Sequence, residues 1–239
     1  MNAERIYTTA EELHATAESI IKALNAAEVA EKLHAPREVW QILNIISIAE
    51  KLRDEAAEEM RRDANRASGR ATVAAAALRV LKDANAQPRE QIHGANRSAD
   101  GYIDICDGFR LLRLNAETAP DLPERPADLP EYVNAARILP RGFTQSDPVN
   151  LPSPAELRAY IKTEKARKKA TKDKTPPLYT VTTGAGVSIY FNALYLLDML
   201  EALPSCEAYA ATERASLSGV IFEASNGRGY LLPVRPPKQ

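Results

Sequence analysis

Two cysteines and three histidines in 239 residues leave little for metal or thiol chemistry. Cys106 and Cys206 stand far apart in apolar surroundings, so they read as buried free thiols and not as a disulfide framework. His14, His34 and His93 show no metal-ligand spacing with cysteine or with one another. Thr183-Gly184-Ala185-Gly186 is glycine-rich but lacks the Lys-Ser/Thr of a phosphate loop, and it reads as a hairpin turn. No Gly-x-Ser-x-Gly or Cys/His arrangement for nucleophilic work is present. No apolar run approaches the ~18 residues of a membrane span, and the opening residues have no apolar leader core. A net charge of −1 argues against general attraction to nucleic acid. From these absences we expect a soluble, cytoplasmic binding protein that is not an enzyme, with no cofactor, no metal and no membrane contact.

An apolar content of 45% permits a sizeable core. The first 70 residues carry the helical period. Thr9-Ala10-Glu11-Glu12 is a capping-box pattern, followed by Leu13, Ala17, Ile20, Ile21, Leu24, Ala27 and Ala30 on one stripe. Pro36 is suited to the first turn of a second helix, running to about Ala67. Its stripe is Val39, Ile42, Leu43, Ile46, Ala49, Leu52, Ala56 and Met60, with Trp40 beside it at the core or at an interface. Arg53, Arg61, Arg62 and Arg66 alternate with acidic residues, as on a solvated face. The segment 1–70 therefore reads as a helical hairpin, through which a homo-oligomer is plausible.

From residue 71 to 236 the pattern repeats. A helix at 71–84 precedes strand candidates at Glu90–Arg97, Tyr102–Cys106 and Phe109–Leu114. Strand-like Leu178–Thr182 and Val187–Tyr190 lead to a helix at Asn192–Leu203. Three more strand candidates follow at Glu207–Ala211, Val220–Ala224 and Tyr230–Val234, the last two joined by Asn226-Gly227. Each half runs helix, strand, strand, strand.

That duplicated order, with Cys106-Asp107-Gly108-Phe109-Arg110-Leu111 after the first strands and Leu232-Pro233-Val234-Arg235 at the end, resembles one domain of the bacterial DNA sliding clamp family. The helix start Phe191–Asp198 is similar as well. The resemblance covers roughly 72–115 and 177–236. It implies an α+β fold: one clamp-like domain of two helix-plus-three-strand halves, preceded by the hairpin. It also implies a phage or prophage protein of DNA replication, since clamp-like proteins of this kind occur there. Gly108, Phe109, Leu232, Pro233 and Val234 fall where that family binds partner peptides. Phe109 replaces the family's histidine, and Leu232 and Val234 its two methionines. One domain is a sixth of a clamp ring.

Asp107 reads foremost as a turn residue accepting backbone amides. Residues 116–176 read as an insertion, extended through its prolines and then helical from Ser153-Pro154-Ala155-Glu156. That helix carries Lys162, Lys165, Arg167, Lys168 and Lys169, with Lys172 and Lys174 beyond. These seven cations are candidate phosphate ligands or a solvated helix end. Two functions follow: a non-enzymatic clamp-like accessory protein binding DNA or a replication partner's peptide, or an interaction module that sequesters a host factor.

Overall fold

The computed structural model describes residues 3–26, 36–139, 146–213 and 215–235, with the side chains of residues 21, 23–26 and 36–42 left out. Ala27, Ala30, His34 and Pro140 lie outside the described residues, as does the side chain of Trp40. The chain divides into two compact units, Met1–Ser68 and Gly69–Gln239.

The first unit is a helical hairpin of α1 (Ala3–Ala26) and α2 (Pro36–Ala67). Pro36 opens α2 as expected. Thr9 is not a cap, because α1 begins six residues earlier. The Ala3–Thr8 stretch holds good helix formers and Ala3 itself is buried, so the helix extends back past Thr9.

The second unit begins at Gly69, whose φ of +70° suits a residue without Cβ. It contains α3 (Ala71–Asn85), α4 (Ala135–Ile138), α5 (Pro154–Thr171) and α6 (Ala193–Ala202). Its strands are β1 (Asn96–Arg97), β2 (Tyr102–Cys106), β3 (Arg110–Asn115), β4 (Ser146–Asn150), β5 (Leu178–Thr183), β6 (Ser188–Asn192), β7 (Glu207–Ala211), β8 (Val220–Ala224) and β9 (Gly227–Leu231). They form one nine-stranded sheet in the order β1-β2-β3-β9-β8-β7-β4-β5-β6, every pairing antiparallel.

Two meanders, β1-β2-β3 and β7-β8-β9, meet through their last strands, with Leu112 opposite Gly229. Each is preceded in sequence by a helix, and these helices, α3 and α6, pack on each other. The expected first strand is mostly absent: Glu90–Ile92 is a 3₁₀ turn and only Asn96–Arg97 pairs. The last strand ends at Leu231, earlier than expected.

Residues 116–176 are not a mere insertion. β4 pairs with β7 at Ser146–Pro148 and with β5 at Val149–Asn150, so it stitches β5 and β6 to the rest. Pro148 lacks a ladder donor and hides this strand from pattern reading. Its carbonyl still accepts the Gly184 N–H at 2.8 Å.

The sheet is strongly curved. In a flat sheet β6 would stand ~24 Å from β9, five strand spacings away. Yet the Val234 N–H, three residues past β9, donates to the Tyr190 carbonyl of β6 at 2.7 Å.

The core lies between the sheet and the helices. Ile103, Ile105, Leu112, Leu114, Phe191 and Phe222 from the sheet meet Ala77 and Val80 of α3, Leu157 of α5 and Leu196 and Met199 of α6. Gly229 lets α6 close on β9, since a Cβ there would lie 2.2 Å from Met199 Cε. Among the described residues no helix is long and apolar enough to cross a membrane.

Candidate functional site

Three features surround the helical side of the second unit: a buried ionic hub, a helix-lined groove above it, and an exposed apolar edge beside it.

The hub is Arg110, whose side chain is wholly buried. Asp107 begins the β2–β3 turn, and its Oδ1 accepts the N–H groups of Phe109 at 2.8 Å and Arg110 at 2.7 Å. Gly108, at φ +89°, completes the turn. This is the turn role read from the sequence. The folded turn then aims the Arg110 guanidinium inward. Its Nε donates to Asp107 Oδ2 at 2.8 Å, and its terminal nitrogens donate to Asp198 Oδ2 and Asp83 Oδ2, each at 2.5 Å. The Tyr195 ring covers it, with the guanidinium carbon 3.8 Å from the centroid.

The carboxylates are shared outward. Asp198 Oδ1 accepts from Arg79 at 2.5 Å, and Glu201 accepts from Arg79 and, at 2.7 Å, from Arg158. The hub thus ties β3 to α3 and α6, and α6 to α5. Burial pushes the Asp198 carboxyl above its ordinary value, with Arg79 and Arg110 pulling the other way. Sequence reasoning missed this hub. A signal was present: Asp198 and Glu201 interrupt the apolar run of α6, and a buried carboxylate needs a buried cation.

Above the hub, α3, α5 and α6 enclose a groove of about 730 Å³. Ile161, Leu194 and Leu197 supply apolar walls, while Arg79, Lys82, Arg158, Lys162 and Lys165 supply cations. Its acids, Asp83, Asp198 and Glu201, are already bound by arginines. Lys82, Lys162 and Lys165 have no ion pair among the described residues, so the groove presents uncompensated positive charge.

The seven expected cations separate into two groups. α5 is started by a full capping box: Ser153 Oγ accepts the Glu156 N–H at 3.2 Å, and Glu156 accepts the Ser153 N–H at 2.8 Å. Leu157 and Ile161 fix its inner face, and Tyr160 packs edge-on against Tyr179 at 4.9 Å. Lys162, Lys165 and Lys169 then follow at spacings of three and four, all exposed, along one side, while Lys172, also exposed, caps the helix in a left-handed conformation at φ +56°. Lys174 is exposed as well. Arg167 pairs with Glu164 at 2.8 Å. Lys168 Nζ donates to Asp173 Oδ2 and Thr175 Oγ1, both at 2.6 Å, and closes the helix end. The Lys168 bond, with the Thr175 amide behind it, holds the Asp173 carboxyl far below the usual carboxylate range.

The apolar edge joins the other expected residues. Phe109 is 50% exposed and Leu232 40%. The Leu232 N–H donates to the Phe109 carbonyl at 3.0 Å, and the Phe109 ring lies 6.1 Å from that of Tyr195. Gly108 is exposed in the same turn, and Pro233 and Val234 continue the strand toward Tyr190.

On the other side of β2 lies a second polar cluster. Asp104 is 2% exposed, and its Oδ1 sits 3.2 Å from Nε of Arg113, whose Nη2 donates to Asp100 Oδ2. Burial pushes the Asp104 carboxyl up to about 6, against the pull of Arg113. Among the described residues no group of three His, Cys, Asp or Glu side chains could hold a metal ion.

No family model and no curated protein matches this chain. Among solved structures it is similar to the Helicobacter pylori beta clamp bound to a DNA ligase peptide, at 11% identity and a TM-score of 0.41. That likeness covers 66% of this chain and 62% of the other, so the chain spans less than two thirds of its neighbour's length.

Proposed function

We propose that the second unit is a non-enzymatic, clamp-like module that binds nucleic acid through its helical side and a partner peptide through the Phe109–Leu232 edge. The observation that carries this reading is the separation of charge at the groove. Every acid lining it is engaged by an arginine, while Lys82, Lys162 and Lys165 have no ion pair among the described residues. Lys169 extends the row along α5, and Lys172 follows at its left-handed cap. From Lys162 to Lys169 the row spans ~10 Å, long enough for about two successive phosphates. A protein of net charge −1 with one such row has a directed electrostatic surface and not a general one.

The duplicated meanders support the clamp-like part, each with its helix and joined at β3 and β9. With the sequence resemblance, they support our reading of a role in phage DNA replication. The peptide part rests on Phe109 and Leu232, large apolar side chains exposed side by side where a turn and a strand end meet.

A second reading, capture of a host protein, draws on the same apolar edge. Affinity capture from host lysate, with and without nuclease, separates the two. On the DNA reading, nuclease removes most of the captured material, and Lys162→Ala with Lys165→Ala does the same. Capture that survives nuclease and the lysine changes, yet is lost in Phe109→Asp, contradicts the nucleic-acid reading and favours the second.

A further inference from the structure

The seam of the helical hairpin is alanine. Ala3, Ala10 and Ala17 recur every seven residues on α1, and Ala49 and Ala56 do so on α2, each at most 9% exposed. Several larger apolar residues lie outside this seam. Leu13 and Ile20 on α1 are 46% and 45% exposed, and Ile45, Ile48 and Leu52 on α2 are 47%, 59% and 40% exposed.

These five residues share one face. At about 100° per residue, Leu13 and Ile20 lie to one side of the Ala10–Ala17 line, and His14 lies to the other. On α2, Ile45, Ile48 and Leu52 lie to one side of the Ala49–Ala56 line, and Glu50 to the other. His14 Nε2 meets Glu50 Oε1 at 3.2 Å, so those two flanks are on the same side of the hairpin. The apolar flanks therefore coincide on the opposite side. The same contact sets the level of the antiparallel helices, bringing Leu13 abreast of Leu52 and Ile20 abreast of Ile45.

We infer that this face is the interface between two copies of the chain, with two hairpins packing into an antiparallel four-helix bundle. An alanine seam buries little apolar surface, and two helices alone make a marginal unit. A second hairpin supplies the missing core layer. The whole side of the hairpin, with these five residues in its central stretch, has a suitable size: 24 residues of α1 give a length of ~36 Å, and two helices a width of ~20 Å, or ~700 Å² per copy. A stable interface uses about 800 Å² per partner. Thr9 and Thr16 are the polar neighbours of Leu13 and Ile20 on that flank, and exposed Glu55 and Glu59, seven residues after Ile48 and Leu52, form its polar rim toward the end of α2.

The test is the solution mass of the full chain by light scattering across a micromolar range. The expected result is twice the 26.2 kDa chain mass. Ile48→Glu with Leu52→Glu should raise the dissociation constant at least about 100-fold, with helical circular dichroism retained. Asp54→Lys, on the opposite side, should leave the mass unchanged. A monomeric wild type, or a dimer that the double variant leaves intact, overturns the inference. Thiol labelling of Ile48→Cys gives an independent readout, because Cys106 is buried and burial pushes the Cys206 thiol up to about 11. Its labelling should slow as protein concentration rises. A rate independent of concentration overturns the inference, whether it is fast, meaning an open face, or slow, meaning a face covered by its own chain.

Discussion

Arg110 and Asp198, 88 positions apart in sequence, are joined by a 2.5 Å hydrogen bond in the interior of the second unit. The bond connects the β2–β3 turn to α6, the helix that also floors the groove. Both side chains are buried, and both have further engagements. Such an arrangement holds its elements in one geometry, because a lost member leaves buried charge behind.

Replacing Arg110 by Met should therefore cost about 3–5 kcal/mol of stability, since Asp107 and Asp198 lose their shared cation in the interior. Arg110→Lys should recover only part of that, because one ammonium cannot reproduce the three-way fork. Combining Arg110→Met with Asp198→Leu should be less damaging than the sum of the single changes. Urea denaturation of the wild type and the four variants, Asp198→Leu alone included, measures this.

Asp104 gives a pH signature. Its carboxyl is raised by burial to about 6, above the ordinary value of 3.8. A group raised in the folded state stabilises below its unfolded pKa, and that stability is lost as pH rises through the folded value. Wild-type stability relative to Asp104→Asn should thus be constant below about pH 4, fall between about pH 4 and 6, and level off above about pH 7. Urea midpoints across this range check the sign. A difference that grows in favour of the wild type with rising pH contradicts it.

At Gly229 a Cβ would lie 2.2 Å from Met199 Cε and 2.8 Å from Leu203 Cδ1. Gly229→Ala should destabilise the second unit by about 1–3 kcal/mol through overpacking between β9 and α6. Adding Met199→Ala opens room at that contact and should remove the steric part of the cost, though with a cavity cost of its own. Thermal unfolding of both variants distinguishes the two effects.

Lys168 and Lys162 lie six residues apart on α5 yet have different tasks. Lys168 is committed to Asp173 and Thr175, whereas Lys162 lines the groove unpaired. Lys168→Ala should loosen the helix end, seen as faster amide exchange at 171–175, and leave the salt dependence of duplex binding nearly unchanged. Lys162→Ala should do the reverse.

The elements of the fold were mostly legible where one local pattern dominated. Pro36, Gly69 and Asn226-Gly227 mark a helix start, a break and a turn through their own backbone chemistry. β4 was not legible, because Pro148 disguises it and its pairing partners lie far away in sequence. The Thr9 pattern misled because a capping motif carries no weight once the preceding turn is helical. At the candidate site, Gly108, Phe109 and Leu232 fall together at one edge. The basic run of α5 was legible as a run, but which of its cations are already paired depends on Glu164, Asp173 and the helix end. Arg110 was read only as part of a turn, since its partners on α3 and α6 are brought to it by tertiary packing alone.

Salt-dependent binding of a labelled DNA duplex, followed by fluorescence anisotropy, tests the central claim most directly. The measurement compares the wild type with the combined Lys82→Ala, Lys162→Ala and Lys165→Ala variant. The account predicts that affinity for the wild type falls steeply with salt, and that the variant binds more weakly with a log–log slope shallower by about 2–3. No duplex binding by the wild type at low salt, or an identical slope in the folded variant, would contradict it.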